Sequence, residues 1–281
     1  ALDVALKALG VGAGDEVVVT PRTYLASVSS VVTAGATPIF ADVDLNSQNI
    51  TTESIEAVLT SNTKAVVVVH LAGMPADMDP IMTLAHEKGL AVIEDCSQAH
   101  GAYYKGRAVG TIGHVGTWSF CQDKIMTTGG EGGMVTTNDR SLWEFMWSYK
   151  DHGKSYDAVY NRQHPPGFRW LHESFGTNWR MTEMQAAIGR IQLRRMPDWA
   201  ERRRAKCEAI WQAARECKGL RVPDVPEHIG HAGYKGYVFV EPTTLKPEWD
   251  IDRVMSEIVR AGVPCSSGPC SAVYFEKSNQ D

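Results

Sequence analysis

Short runs of valine, isoleucine and alanine recur along the chain, separated by stretches whose apolar positions follow helical spacing. Residues 1–10 open with helical spacing, and a Gly12-Ala13-Gly14-Asp15 turn leads into an apolar run over 16–20. Further runs cover 37–41, 64–70, 90–94, 115–120 and 132–137, with helical stretches over 23–34, 52–59 and 77–88. Continuous rather than alternating apolar runs predict strands covered on both faces. Such strands, interleaved with helices, build βαβ units and a mostly parallel sheet. From 181 to 217 the pattern is largely helical, and a strand over 237–240 and a helix over 251–261 come after it. The expected fold class is α/β. The chain begins inside a helical pattern with no capping residue before it, and stops soon after a strand-like segment, so it reads as a fragment.

Composition narrows the picture by exclusion. A chain of 281 residues, 43% hydrophobic and 22% charged, buries a sizeable core without disulfide or metal staples. It does not fit collagen-like, disordered or disulfide-framework classes. The net charge of −5 argues against a dominant nucleic-acid face. The basic run Arg190, Arg194, Arg195, Arg202, Arg203, Arg204 and Lys206 has no aromatic or groove-reading partners, so it reads as a solvated helix face or linker. Six cysteines form no C-x-x-C pair and no Cys/His quartet with zinc spacing. They fit a reducing compartment, most of them packed as small apolar groups. No secretory leader and no apolar run of ~18 residues occurs, so a cytoplasmic protein without a membrane partner is expected.

In an open α/β sheet, ligands bind beyond the carboxyl ends of the strands. Around the end of the 90–94 run stand Glu94-Asp95-Cys96-Ser97-Gln98-Ala99-His100-Gly101. The 115–120 run ends in Ser119-Phe120, followed by Cys121-Gln122-Asp123-Lys124 and then Gly129-Gly130-Glu131-Gly132-Gly133. Pro21-Arg22-Thr23-Tyr24 come after the first strand, and His70 closes the third. An acid, a hydroxyl and a lysine at strand ends are what pyridoxal phosphate requires. The lysine forms a Schiff base with its aldehyde, the acid keeps the pyridine nitrogen protonated, and a hydroxyl with backbone N–H groups holds the phosphate. Each residue also has an ordinary reading. A strand-end Asp often caps a helix, a loop lysine is often solvated, and a glycine run is often a turn needing positive φ. Rival motifs fail on context: the glycine run lacks the Lys-Ser/Thr of a P-loop, and Gly-x-Ser-x-Gly is missing. Cys96 and His100 offer only two ligands and read as packing, so no metal is expected.

Several of these segments together resemble the DegT/DnrJ/StrS family of sugar aminotransferases. They are Glu94-Asp95-Cys96-Ser97-Gln98-Ala99-His100-Gly101-Ala102, Ser119-Phe120 with Lys124, and Thr128-Gly129-Gly130-Glu131-Gly132-Gly133. Gly35-Ala36-Thr37-Pro38-Ile39-Phe40-Ala41-Asp42-Val43 and Gly176-Thr177-Asn178-Trp179-Arg180-Met181-Thr182 complete the set, in matching order and spacing from Ala1 to about Gly219. The resemblance implies a fold-type-I transferase with a mostly parallel seven-stranded sheet. It implies a large cofactor-binding domain over 1–195, then a linker helix and part of a small α/β domain over 196–281. It also implies a homodimer with shared active sites.

Position by position, Lys124 stands where the family has its Schiff-base lysine, and Asp95 where it has the pyridine-nitrogen partner. Gln98 stands at the position that bonds the ring hydroxyl, Tyr24 at the stacking aromatic, and Ser119 at a phosphate-binding hydroxyl. Asn178 matches the asparagine that reaches the neighbouring subunit's cofactor, and Arg180 adjoins it toward an anionic substrate group. The implied reaction moves an amino group from L-glutamate to a nucleotide-linked keto-deoxysugar, in polysaccharide or antibiotic-sugar synthesis. Lys124 in place of the histidine of dehydratase relatives favours transamination. The same chemistry on a cyclitol or amino-shikimate-type ketone, and a non-catalytic binding protein on this scaffold, are the alternatives. Against the family pattern, a Gly-Thr pair ahead of Ala1, the arm before it and the end of the small domain are absent, and residues 262–270 depart from the better-known 4-aminotransferases.

Overall fold

The computed structural model describes residues 1–268 and 272–279. Every apolar run forms a strand, and every helical stretch a helix. In chain order these are α1 (Leu2–Ala8), β1 (Glu16–Val19), α2 (Ala26–Thr33), β2 (Thr37–Phe40), α3 (Thr52–Glu56), β3 (Thr63–Val69), α4 (Met78–Lys88) and β4 (Ala91–Asp95). A small hairpin of β5 (Tyr103–Tyr104) and β6 (Arg107–Ala108) precedes β7 (Val115–Ser119) and β8 (Gly133–Thr136). Then come α5 (Arg140–Tyr149), α6 (Tyr156–Tyr160), α7 (Glu183–Arg215), β9 (Leu220–Arg221), β10 (Ile229–Gly230), β11 (Phe239–Val240) and α8 (Ile251–Arg260).

The central sheet runs β2-β1-β3-β4-β7-β8. The first five strands are parallel, and β8 closes the edge antiparallel to β7. The family resemblance implies a seventh strand in this sheet, and among the described residues none joins it. Past α5 the backbone makes only isolated bridges, Asp151 with Asn178 and Lys154 with His172, too short to extend the sheet.

Strand alternation divides the core in two. Val17, Val19, Val67, Val69 and Ile93 face one side and pack with α1, α2 and Met146 of α5. Val18, Val66, Val68 and Val92 face the other and pack with Ile55 of α3 and with Met78, Ile81 and Leu84 of α4. Both faces are therefore dry, which is why the strands read as unbroken apolar runs. Gly116 in β7 is required sterically, since a Cβ there would stand 2.4 Å from the Gly110 carbonyl oxygen.

The helices α5 and α6 show no Val/Ile pattern: Leu142 and Met146 pack α5 on the core, and aromatic side chains hold the two helices together. Tyr156 lies 5.1 Å from Trp143 and 5.2 Å from Trp147, ring centre to ring centre. The helix α7 starts at a capping box of Thr182 and Gln185 and runs through Pro197 and across the expected division at 195. Of its basic run, Arg203 and Arg204 are half-buried, Arg203 bonding the Gly233 carbonyl and Arg204 covering the Tyr103 ring; the other five are exposed. Cys96 and Cys207 are buried as expected, but Cys217 is exposed, Cys121 and Cys265 are half-buried, and Cys270 lies outside the described residues. No described helix is long and apolar enough to cross a membrane.

Candidate active site

The parallel order brings the carboxyl ends of β1, β3, β4 and β7 to one edge of the sheet, and the candidate residues gather there. Asp95 is the last residue of β4 and pairs in register with Val69 of β3 and Thr117 of β7. No helix comes directly after it, so it is not an N-cap. Its buried carboxylate accepts from Ser27 Oγ at 2.8 Å and from the Ser97 N–H at 3.1 Å. Thr23 Oγ1 lies 2.8 Å from Ser27 Oγ and extends the chain of hydroxyls. Each Asp95 oxygen thus receives one of these donors and retains a lone pair for another.

Ser119 ends β7, and its Oγ accepts from the Cys121 N–H at 3.3 Å. Lys124 lies in the following loop with its side chain largely buried. Its Nζ stands 3.8 Å from Asp123 and 5.2 Å from the Tyr234 ring centre. The Tyr234 hydroxyl donates to Asp123 at 3.0 Å. Burial opposes a charge on Asp123, but the Tyr234 hydrogen bond and the charge of Lys124 outweigh it and hold the carboxyl below its ordinary value. Cys121 donates to Glu131, which pushes its thiol up, so it stays a thiol rather than a nucleophilic thiolate.

Gln98 is buried in the loop after β4, its Oε1 accepting from the Ala72 N–H at 2.7 Å. Tyr24 lies in the loop after β1 and is 65% exposed, which leaves its ring face accessible. Asn178 is exposed, and its side-chain oxygen accepts from Arg180, which also pairs with Asp151 at 3.4 Å. A cavity of about 1000 Å³ lies on the face of the sheet that Asp95 shares, lined by Ser29 and Ser30 of α2, Ser97, Thr117, Ser119 and Arg180. Two of the sequence-derived candidates, Ser119 and Arg180, line it directly. Asp95, Gln98, Lys124, Tyr24 and Asn178 are not part of its lining; Asp95 accepts from the N–H of the lining Ser97, and Asn178 accepts from the lining Arg180, whereas Lys124 packs by Asp123 and Tyr234.

Sequence reasoning missed Ser27 and Tyr234, and gave no role to Thr23 and Asp123, which it had placed past strand ends. Ser27 sits in a helix 68 residues from Asp95, and Tyr234 stands 111 residues from Asp123, so no local spacing ties either to the site. A second buried cluster escaped it as well. His70 Nδ1 accepts from the Ala76 N–H, leaving Nε2 to donate to Glu94 at 3.1 Å. Glu94 accepts further from the N–H groups of Gly110, Ile112 and Gly113. Burial opposes its charge, yet His70 and those N–H groups prevail and hold its carboxyl below the ordinary value. The ligand atoms of His70, Glu94 and Cys96 lie within 4.8 Å of one another, but hydrogen bonds already occupy the His70 and Glu94 lone pairs, which suits structure rather than metal binding. His100 packs against Trp118 and Phe120, and burial lowers its pKa to about 4.

A doubly covered, mostly parallel sheet with an acid at one strand end and a lysine in the loop after the adjoining strand has the architecture of a fold-type-I transferase. The chain belongs to the DegT/DnrJ/EryC1/StrS aminotransferase family, whose description matches residues 1–270, as the motifs implied. Aminotransferases of this family depend on pyridoxal phosphate. The chain is 45% identical over 204 residues to the GDP-perosamine synthase of Escherichia coli O157:H7, covering 73% of this chain and 53% of that protein. It is 41% identical over 264 residues to the spore coat polysaccharide biosynthesis protein SpsC of Bacillus subtilis (strain 168), covering 89% of this chain and 67% of that one. Among solved structures, the aminotransferase from Psychrobacter cryohalolentis is 64% identical and superposes with a TM-score of 0.97, covering 99% of this chain and 72% of that one. The chain thus spans 53% and 67% of the length of these two curated relatives.

Proposed function

We propose that the chain is the larger part of a cytoplasmic, homodimeric aminotransferase that moves an amino group from L-glutamate to a nucleotide-linked keto-deoxysugar. The observation that carries this reading is Asp95. It is a buried carboxylate at a strand end, aimed by Ser27 and the Ser97 N–H, on the cavity face of the sheet and next to the strand that leads to Lys124. The relatives named for sugar and polysaccharide synthesis support the acceptor class.

The donor set fits pyridoxal phosphate. Asp95 has lone pairs left for a pyridinium N–H, Lys124 supplies the amine, Ser119 supplies a hydroxyl on the cavity wall, and the exposed Tyr24 ring offers a stacking face. When bound, that cofactor supplies an electron sink for cleavage of a C–H bond next to nitrogen. Asp95 would hold the ring nitrogen's proton in place. Lys124 Nζ would hold the cofactor and, when released, take and return the substrate proton. Asp123 and Tyr234 bracket that amine and limit where it swings. Gln98 would bond the ring hydroxyl, and Asn178 would reach the neighbouring subunit's cofactor. L-Glutamate would leave as a 2-oxo acid whose oxygen comes from water, and the acceptor's ketone carbon would gain the nitrogen as its oxygen leaves as water.

An absorption spectrum of the full-length protein with pyridoxal phosphate, before and after L-glutamate, tests this. A visible band that gives way to a near-ultraviolet one is expected, and Lys124→Ala should lack both the visible band and turnover. A band that ignores glutamate and borohydride would favour the binding-protein alternative.

A further inference from the structure

Among the described residues, the loop after β1 carries a cation, Arg22, with no counter-ion. β1 has β2 on one side and β3 on the other, so the carboxyl ends of β1 and β3 flank the point where the strand order reverses. That crevice is where open α/β sheets bind ligands. Arg22 lies in the loop that leaves the β1 side of it, two residues before Tyr24. Its backbone is held: the Arg22 N–H donates to Thr20 Oγ1 at 3.1 Å, and the Val273 N–H donates to the Pro21 carbonyl at 2.8 Å. Its guanidinium carbon lies 5.5 Å from the ring centre of Tyr237. Tyr237 packs on Leu71 and Ala72 after β3, and the Ala72 N–H in turn donates to Gln98. Contacts therefore run from Arg22 to a candidate cofactor residue.

Arg22 Nε is buried and has no hydrogen-bond partner among the described residues. None of the ion pairs among those residues involves Arg22. A desolvated guanidinium donor left unpaired is costly, and an oxyanion is the ligand that removes the cost. The planar fork of arginine matches carboxylate and phosphate alike.

We propose that Arg22 binds a substrate oxyanion, a carboxylate or a phosphate, in the crevice between the ends of β1 and β3. This role rests on the aminotransferase reading, which offers two sources: a carboxylate of the amino donor, or the diphosphate of the nucleotide-linked acceptor. Calorimetric titration of the full-length, cofactor-loaded protein separates them, with glutarate as the dicarboxylate probe and inorganic pyrophosphate as the phosphate probe. Arg22→Gln should weaken one probe by roughly ten- to hundredfold, and Arg22→Lys should recover part of the loss. A loss confined to glutarate assigns Arg22 to the donor, and one confined to pyrophosphate assigns it to the acceptor. Equal binding of both probes by wild type and by a folded Arg22→Gln, or by Arg22→Lys if the glutamine variant does not fold, overturns the role. If the wild-type visible band still responds to L-glutamate in that case, only Arg22 is misassigned. If the band is missing while Arg22→Gln still weakens a probe, the aminotransferase reading fails and the anion site stands.

Discussion

Glu94 and Asp95 are neighbours in the chain and differ by one methylene, yet they occupy two unlike regions. Strand alternation sends Glu94 to the face shared with Val92 and α4, and Asp95 to the face shared with Ile93 and α2. Glu94 is saturated by His70 and three backbone N–H groups. Asp95 is aimed by two donors and keeps capacity for a third. A buried carboxylate with every lone pair engaged holds structure together. One that is oriented but incompletely engaged, on the cavity face of a strand end, is available for chemistry.

Substitutions at the two positions should therefore separate activity from stability. The largest effect is expected for Asp95→Asn, which should lower turnover by orders of magnitude with the melting temperature nearly unchanged, since an amide does not keep a pyridine nitrogen protonated. Steady-state kinetics alongside thermal melting checks this, and a near-normal rate would remove Asp95 from its role. Glu94→Gln should do the reverse. Turning one acceptor oxygen into a donor that faces backbone N–H groups should cost about 3 kcal/mol of stability, with the rate per folded molecule retained. Urea unfolding measures it, and an unchanged midpoint would mean that the His70–Glu94 cluster is not structural.

Acid sharpens the contrast between neutral and charged buried groups. Burial lowers both His100 and His231 to about 4, so each stays neutral in the folded chain where the unfolded chain, near the ordinary 6.5, already binds a proton. Stability is thus whole above pH 6.5 and falls as pH drops toward about 4, by at most about 3 kcal/mol per histidine. The contribution of Glu94 runs lower, lost only as pH falls below its ordinary 4.5 through its lowered value. Urea midpoints measured between pH 7 and 4 should show the first loss, and His231→Gln should flatten it. The smallest effect is expected for Ser27→Ala, which removes one of the two donors aiming Asp95. About 1 kcal/mol, or several-fold in kcat with KM nearly constant, is the expected cost, and steady-state kinetics at saturating substrate reads it.

Much of this was legible in the sequence. The strands lie where the valine runs are, and Asp95, Ser119 and Lys124 stand at or just past strand ends, where an open sheet binds its ligands. Among the described residues no seventh strand joins the central sheet, because pairing just past α5 stops at single bridges. The helices α5 and α6 were not read, because tryptophan and tyrosine contacts hold them instead of a Val/Ile pattern. Tyr234 carries no local mark at all; it matters because the chain after α7 returns to the lysine loop.

The sequence by itself determined the alternation of strands and helices, the parallel class of the sheet and the chemistry available at its edge, since periodicity and strand-end position are local properties. Only the tertiary structure decided which of two adjacent buried carboxylates has every lone pair engaged and which keeps some free. Their donors arrive from segments between 16 and 68 residues away, once the sheet has closed, apart from the Ser97 N–H two residues on.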